Sequence, residues 1–269
     1  MKFIQLNYNE GIATIALDRQ EKFNSFVMEM SVELQGALTE IKNRTDVRCV
    51  VLTGNGKAFC AGQDLGEAIA TDGPGLESIL KDGYNPIIRM MRELPLPIVG
   101  AINGVAAGAG ANIALACDLV VASENASFLQ AFTKIGLIPD SGGTYFLPRI
   151  IGTQRAMAQM LLADKVTAAE AKAMGLIYDV YPTEEFQTKV TELANRLAAM
   201  PTKALAFTKQ AIYSGWNNTL EQQLELELDL QRRAGQTADH KEGVAAFLEK
   251  RMPTFTGNYF IQKCRLGFQ

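Results

Sequence analysis

Two stretches of this 269-residue chain follow one plan: "VVLTGNGKAFCAGQDL" (50–65) and "IVGAINGVAAGAGANIAL" (98–115). Each opens on a short apolar run without polar alternation, which suits a strand buried on both faces. Each then breaks at a glycine and passes through a turn of small residues. The second clearly enters a helix, and the first has the same option. A chain built this way is a layered α/β structure. Small residues let a backbone come close to a ligand, and amides at a helix start have no partner within the helix. Two such turns set face to face would aim two N–H groups at one oxygen, forming an oxyanion hole. Tight packing of strand on helix needs the same residues, and spacing alone does not separate the two readings.

The rest of the chain is consistent with this layering. Residues 2–8 and 12–17 read as a hairpin, with turn residues at Asn9 to Gly11. Phe26, Met30, Leu34, Leu38 and Ile41 recur at helical spacing. Residues 66–76 are small and polar and read as a mobile loop. "LESILKDGYNPIIRMMREL" (76–94) reads as helix, broken near Gly83 to Pro86. From about 153 onward helices dominate. Thr167 and Glu170 form a capping box before "AAEAKAMG", which Gly175 ends. "TLEQQLELELDLQRRA" (219–234) is a long amphipathic helix. The expected division is an α/β core over 1–200 and a helical C-terminal region over 201–269.

Several kinds of chemistry are disfavoured. The only histidine, His240, sits in the polar segment "TADHKEGV". A Ser-His-Asp triad or a zinc site needs histidine beside a nucleophile or other ligands. Cys49, Cys60, Cys117 and Cys264 lie far apart, with neither metal-ligand nor disulfide-framework spacing. No metal is expected, and a reduced cytoplasm is the expected location. There is no P-loop, and "GAGANI" fails the dinucleotide fingerprint because Ile113 stands where glycine or alanine is required. A net charge of −3 without a basic run argues against nucleic acid. No apolar run has the roughly 20 residues of a membrane span.

What remains is one acid in an unusual place. In "IGLIPDSGGTYFLPR" (135–149), Asp140 lies between a proline and a small-residue turn. An aspartate there is a good helix N-cap; it is equally placed to act as a base.

Three ordered motifs carry a resemblance: "AFCAGQDL" (58–65), "INGVAAGAGANIALACD" (102–118) and "GLIPDSGGTYFLPR" (136–149). Together they resemble the crotonase family, the enoyl-CoA hydratases and isomerases. The similarity runs from the first hairpin to "FLEKRMPTFTG" (247–257), leaving the tail from about 258 outside it. The resemblance implies an α/β, ClpP-like spiral of ββα units with a helical C-terminal trimerisation region. It implies a homotrimer or a dimer of trimers, acting on an acyl-CoA thioester whose enolate is stabilised. Coenzyme A is then part of the substrate, no separate cofactor is needed, and no membrane is involved.

Carried over by position, the oxyanion donors are the backbone N–H groups of Gln63 and Ala109, the latter often glycine in the family. The two glutamates of the family's hydratases align with Asn112 and Phe132, and neither is an acid. The acid left at the acyl end is Asp140, which matches the catalytic acid/base of the branch that isomerises ring-epoxidised phenylacetyl-CoA. "YNP" (84–86) and "EGVAAFLEKR" (242–251) also resemble that branch. The family's dehalogenases pair an aspartate at this place with a tryptophan at the Phe132 position, whereas the sole tryptophan here is Trp216. The resemblance further implies that Lys22 meets the nucleotide, that Ala61, Asp64 and Leu65 flank pantetheine and adenine, and that Phe247 and Lys250 reach a neighbouring subunit's CoA. The alternatives are an enoyl-CoA hydratase, a plain Δ3-Δ2 enoyl-CoA isomerase, or an RNA-binding homologue.

Overall fold

The computed structural model describes residues 1–258; the tail beyond, Cys264 included, lies outside the described residues. The described residues divide into two compact units, one over Met1–Asn195 and one from Arg196 onward.

The first unit opens on an antiparallel hairpin of β1 (Ile4–Asn9) and β2 (Ile12–Leu17). Helix α1 (Met28–Lys42) buries Met30, Leu34, Leu38 and Ile41, the expected apolar stripe. Phe26 is also buried but stands before the helix, bridged to Gln63. Three strand pairs follow: β3 (Cys49–Gly54) with β4 (Ala58–Cys60), β5 (Ile98–Ile102) with β6 (Val105–Ala107), and β7 (Leu119–Ser123) with β8 (Ser127–Leu129). Helices α2 (Leu65–Ala68), α3 (Gly75–Ser78) and α4 (Asn85–Glu93) lie between the first two pairs, and α5 (Ala109–Leu115) between the second and third. The unit continues through α6 (Gly143–Ile151), α7 (Thr153–Leu162), β9 (Val166–Thr167), α8 (Ala168–Ala173), β10 (Asp179–Tyr181) and most of α9 (Phe186–Ala199), within which the division at Asn195 falls.

The first strand of each pair joins a six-stranded sheet ordered β1-β2-β3-β5-β7-β10. The second joins a four-stranded sheet ordered β4-β6-β8-β9. The chain thus steps between two sheets while winding forward, and the central pairings in both are parallel. This is the spiral of ββα units that the sequence resemblance implies. The small-residue turns expected from sequence contain β4 and β6, and β8 has no counterpart in the sequence pattern. Three residues of alanine-rich or mixed sequence carry no period-2 signal.

Residues 75–93 also differ from expectation. The helix is not broken near Pro86. It runs from α3 into α4 through a wider π turn at Ile79–Tyr84. Pro86 has no N–H to give the carbonyl four residues back. Gln35 Nε2 supplies the missing donor, bonding the Asp82 and Gly83 oxygens at 2.8 and 3.2 Å. The capping box of Thr167 and Glu170 forms as expected at the start of α8.

The second unit holds α10 (Thr202–Gly215), α11 (Leu220–Gly235) and α12 (Ala238–Glu249). Buried Asp239 accepts from the Thr256 and Gly257 amides at 2.7 and 2.9 Å, which anchors the segment after α12. No helix among the described residues is long and apolar enough to cross a membrane.

Candidate active site

Both glycine-rich turns end at the same cavity, of about 520 Å³. Ala61, Gly62, Gln63 and Leu65 come from the turn after β4, and Gly108 and Ala109 from the turn after β6. Phe132 and Asp140 come from the segment joining β8 to α6. Because β4 and β6 are neighbouring parallel strands, the two turns meet side by side. A Cβ built on Gly62 would lie 3.6 Å from the Ala109 nitrogen.

Ala109 is the first residue of α5, so its N–H has no acceptor within the helix. The Gln63 amide is likewise free of the pairing around it. Phe26 N donates to Gly62 O at 2.7 Å and Asp64 N to Phe26 O at 2.8 Å, leaving the N–H between them to point elsewhere. Among the described residues neither amide has a hydrogen-bond partner. The two turns therefore present two unused donors on one cavity wall, which favours the oxyanion reading over tight packing alone.

Gly62 holds this geometry at φ +93°. An alanine Cβ there would come within 3.0 Å of Ala107 O and would force a backbone conformation that costs roughly 1–2 kcal/mol for an L residue. Gly62→Ala is expected to lower both melting temperature and turnover, turnover by at least about tenfold given the sensitivity of positioned donors. Calorimetry and steady-state rates check it; a variant unchanged in both would show that the turn is not under this constraint.

The Gln63 side chain is held as well. Tyr84, fully buried in the π turn, donates its hydroxyl to Gln63 Oε1 at 2.8 Å. Gln63 Nε2 donates to Glu67 Oε2 at 2.9 Å, and Glu67 in turn accepts Met28 N, at the start of α1, at 3.0 Å. Burial, with Cys60, Asp140 and Glu67 nearby, raises the Tyr84 pKa well above its ordinary value, so the phenol stays a donor. The "YNP" motif gives no sign of this role in the sequence, because a π turn has no sequence period of its own.

Asp140 is not a helix cap. Gly142 occupies the N-cap of α6 with no side-chain bond, and the Asp140 carboxylate bonds no helix amide. Its Oδ1 accepts the Ser141 hydroxyl, at 2.8 Å. Burial pushes its pKa up to about 6, opposed by that hydroxyl and by its own backbone amide. Among the described residues it is the only carboxylate lining the cavity. Ile79, Leu80, Phe132, Leu137 and Ile138 make much of the remaining wall apolar.

Two expected binding residues are placed differently. Asn112 is fully buried and does not line the cavity; its amide is engaged behind the wall with Asp140 O and Gln130. The Asp64 carboxylate is also occupied: it caps α2 and pairs with Arg19 at 2.7 Å. Its contribution is to tie the turn at 61–64 to the loop at 19–26, which Ala61 N also grips through Phe23 O at 3.0 Å. Lys22 is exposed on that loop and does not line the cavity. Phe247 and Lys250 lie at the end of α12 in the second unit, Phe247 being 83% exposed.

Residues 7–258 match the enoyl-CoA hydratase/isomerase family. The chain is 46% identical over 260 residues to the 1,2-epoxyphenylacetyl-CoA isomerase of Escherichia coli K12, covering 96% of this chain and 99% of that one. It is 48% identical over 254 residues to a protein of Rhodobacter capsulatus named "Probable enoyl-CoA hydratase", covering 94% and 98%. The crystal structure of an enoyl-CoA hydratase from Bacillus anthracis superposes with a TM-score of 0.89 at 35% identity, over 95% of this chain and 100% of that one.

Proposed function

The chain belongs to the enoyl-CoA hydratase/isomerase family, and we propose that within it this protein is an isomerase of acyl-CoA thioesters. Its proposed substrate is 1,2-epoxyphenylacetyl-CoA, rearranged to the oxepin, and it also moves a double bond between the Δ3 and Δ2 positions of an enoyl-CoA. One observation carries the reading: among the described residues the cavity has a single carboxylate, Asp140, beside two free backbone donors. Hydration through a pair of acids has no second acid here. Asn112 is an amide engaged behind the wall, and Phe132 offers a hydrocarbon surface that water does not favour.

In this reading the thioester oxygen accepts the Gln63 and Ala109 N–H groups. Charge that develops on it as a proton leaves the neighbouring carbon is stabilised there, by an amount on the order of 3 kcal/mol per donor. Asp140, with its pKa near 6, is ionised at neutral pH yet more basic than a solvated carboxylate. It takes a proton from one carbon and returns it two carbons away. The apolar wall keeps water from intercepting the intermediate. In the epoxide the same group assists ring opening.

The reading extends beyond the cavity. Lys22 meets the nucleotide end of CoA, on a loop stitched to the oxyanion turn. The chain assembles as a homotrimer or a dimer of trimers. The apolar residues Leu220, Leu224 and Leu228 exposed along α11, with Val244 and Phe247 on α12, support this. Light scattering should give three or six chain masses; a stable monomer would remove both the assembly and any CoA contact from a neighbouring chain. The free cysteines Cys49 and Cys60 support a reducing, cytoplasmic setting.

The deciding test is turnover of three thioesters. The epoxide and a 3-enoyl-CoA should be isomerised, and crotonyl-CoA hydrated at least about a hundredfold more slowly, as expected when the acid that activates water is missing. Crotonyl-CoA hydration at a matching rate would overturn the isomerase reading in favour of the hydratase.

A further inference from the structure

Asp140 stands at the end of a segment with little regular structure. Residues Ile135, Leu137 and Ile138 just before it are exposed, and Ser141 and Gly142 just after it have positive φ. A base placed by such a segment needs an anchor if it is to hold a fixed distance from the thioester. The Asp140 carbonyl has two donors. One is local, Gly143 N at 2.8 Å. The other is distant in sequence, Asn112 Nδ2 at 2.8 Å. Asn112 lies on α5 three residues after Ala109, one helical turn from the oxyanion donor that opens the helix. The bond therefore ties the base to the same helix that carries half of the oxyanion hole.

The Asn112 amide is itself oriented. Gln130 Nε2 donates to Asn112 Oδ1 at 2.7 Å. That bond selects the orientation in which Asn112 presents N–H, rather than oxygen, to the Asp140 carbonyl. Both side chains are buried, Asn112 fully and Gln130 at 4% exposure. The start of α6 packs against the pair: a Cβ on Gly143 would lie 2.6 Å from Asn112 Cγ. Gln130 Oε1 is buried without a partner among the described residues. An unpaired buried oxygen is destabilising, so fold stability does not account for an amide at this position.

We propose that Asn112 and Gln130 are positioning residues, a buried amide relay that holds the Asp140 carboxylate in register with the oxyanion hole. The proposal rests on the reading of Asp140 as the acid/base. Only an amide fills the middle place. A carboxylate at 112 would have no hydrogen to give the Asp140 carbonyl, and an aliphatic group would give neither bond.

Gln130→Leu is the decisive variant, because it breaks the relay while removing the unpaired oxygen. It should lower kcat about tenfold, as a loosened base does, with KM within about twofold and a melting temperature equal to or above the parent's. Asn112→Ala should lower kcat further, again with little change in KM. In an Asp140→Asn background, adding Gln130→Leu should cost no further rate. An unchanged kcat in Gln130→Leu overturns the proposal. So does a parallel fall of kcat, melting temperature and substrate affinity, which would mark a merely structural role, and so does an additional loss in the Asp140→Asn background. If Asp140→Asn alone keeps its rate, the acid/base reading itself fails and the relay has nothing to position.

Discussion

Asp140→Asn is expected to lose isomerisation by two or more orders of magnitude while still binding acyl-CoA. The amide keeps the shape and can still accept the Ser141 hydroxyl now on Oδ1, but it cannot take up a proton, and general acid–base catalysis is worth roughly 10²–10⁴. The parent rate should rise with pH through about 6 and then level, because the carboxylate must be ionised to act and burial has raised its pKa to that value. Stability should move the opposite way. A carboxyl whose folded pKa lies above its unfolded 3.8 binds its proton more tightly in the native state. Its stabilising contribution is complete below pH 3.8 and is lost as pH rises through about 6. At pH 8 the parent bears the cost of a buried charge, at most about 3 kcal/mol. The asparagine variant does not, so it should melt at or above the parent at pH 8. Single-turnover rates and melting curves across pH 4–8 read both effects. Near-parental turnover in the variant would mean that another group moves the proton.

Ala109→Pro should be nearly as damaging for a different reason. Proline is well tolerated at the first position of a helix, where the missing N–H bonds nothing within the helix anyway. Ala109 occupies that position, so α5 can start from proline. The lost N–H is, however, one of the two that face the cavity. Removing one oxyanion donor costs roughly 10²–10³ in kcat, and the ring's Cδ would intrude where the thioester oxygen belongs. Ala109→Gly keeps the N–H and should retain most activity. Circular dichroism paired with steady-state rates separates a folded, inactive variant from an unfolded one. A folded proline variant with normal turnover would remove Ala109 from the oxyanion hole.

The sequence made the longer elements plain, since the buried runs of β3 and β5, the stripe of α1 and the capping box at Thr167 each have a local physical signature. The two small-residue turns were also legible, because glycine and alanine at those places are required by close backbone approach. What escaped were features that exist only through tertiary contact. Strands β4, β6 and β8 are three residues long and are strands only because they lie beside one another. The π turn depends on Gln35, some fifty residues upstream, to satisfy the Asp82 carbonyl that Pro86 leaves open. Asn112 is marked in the sequence as a lost acid, but that its amide turns away from the cavity is a property of Gln130 and the Asp140 carbonyl. Asp140 itself was legible as an alternative between cap and base, and the αL turn at Ser141 and Gly142 removes the cap by moving it two residues on.

The pairing of β4 with β6 has a consequence for how such a site can change over time. The two amides follow the ends of adjacent strands, whose backbones lie roughly 4.8 Å apart in any sheet, and only a short turn stands between each strand end and its amide. That length belongs to the peptide backbone and is the same for every sequence that forms the sheet. Substitution can swap the acid, recolour the wall or move the base along its segment, while the gap between the donors is open to change only through the few turn residues that follow the strands, Gly62 foremost. Chemistry at this cavity is free to diversify around a spacing that most substitutions do not reach.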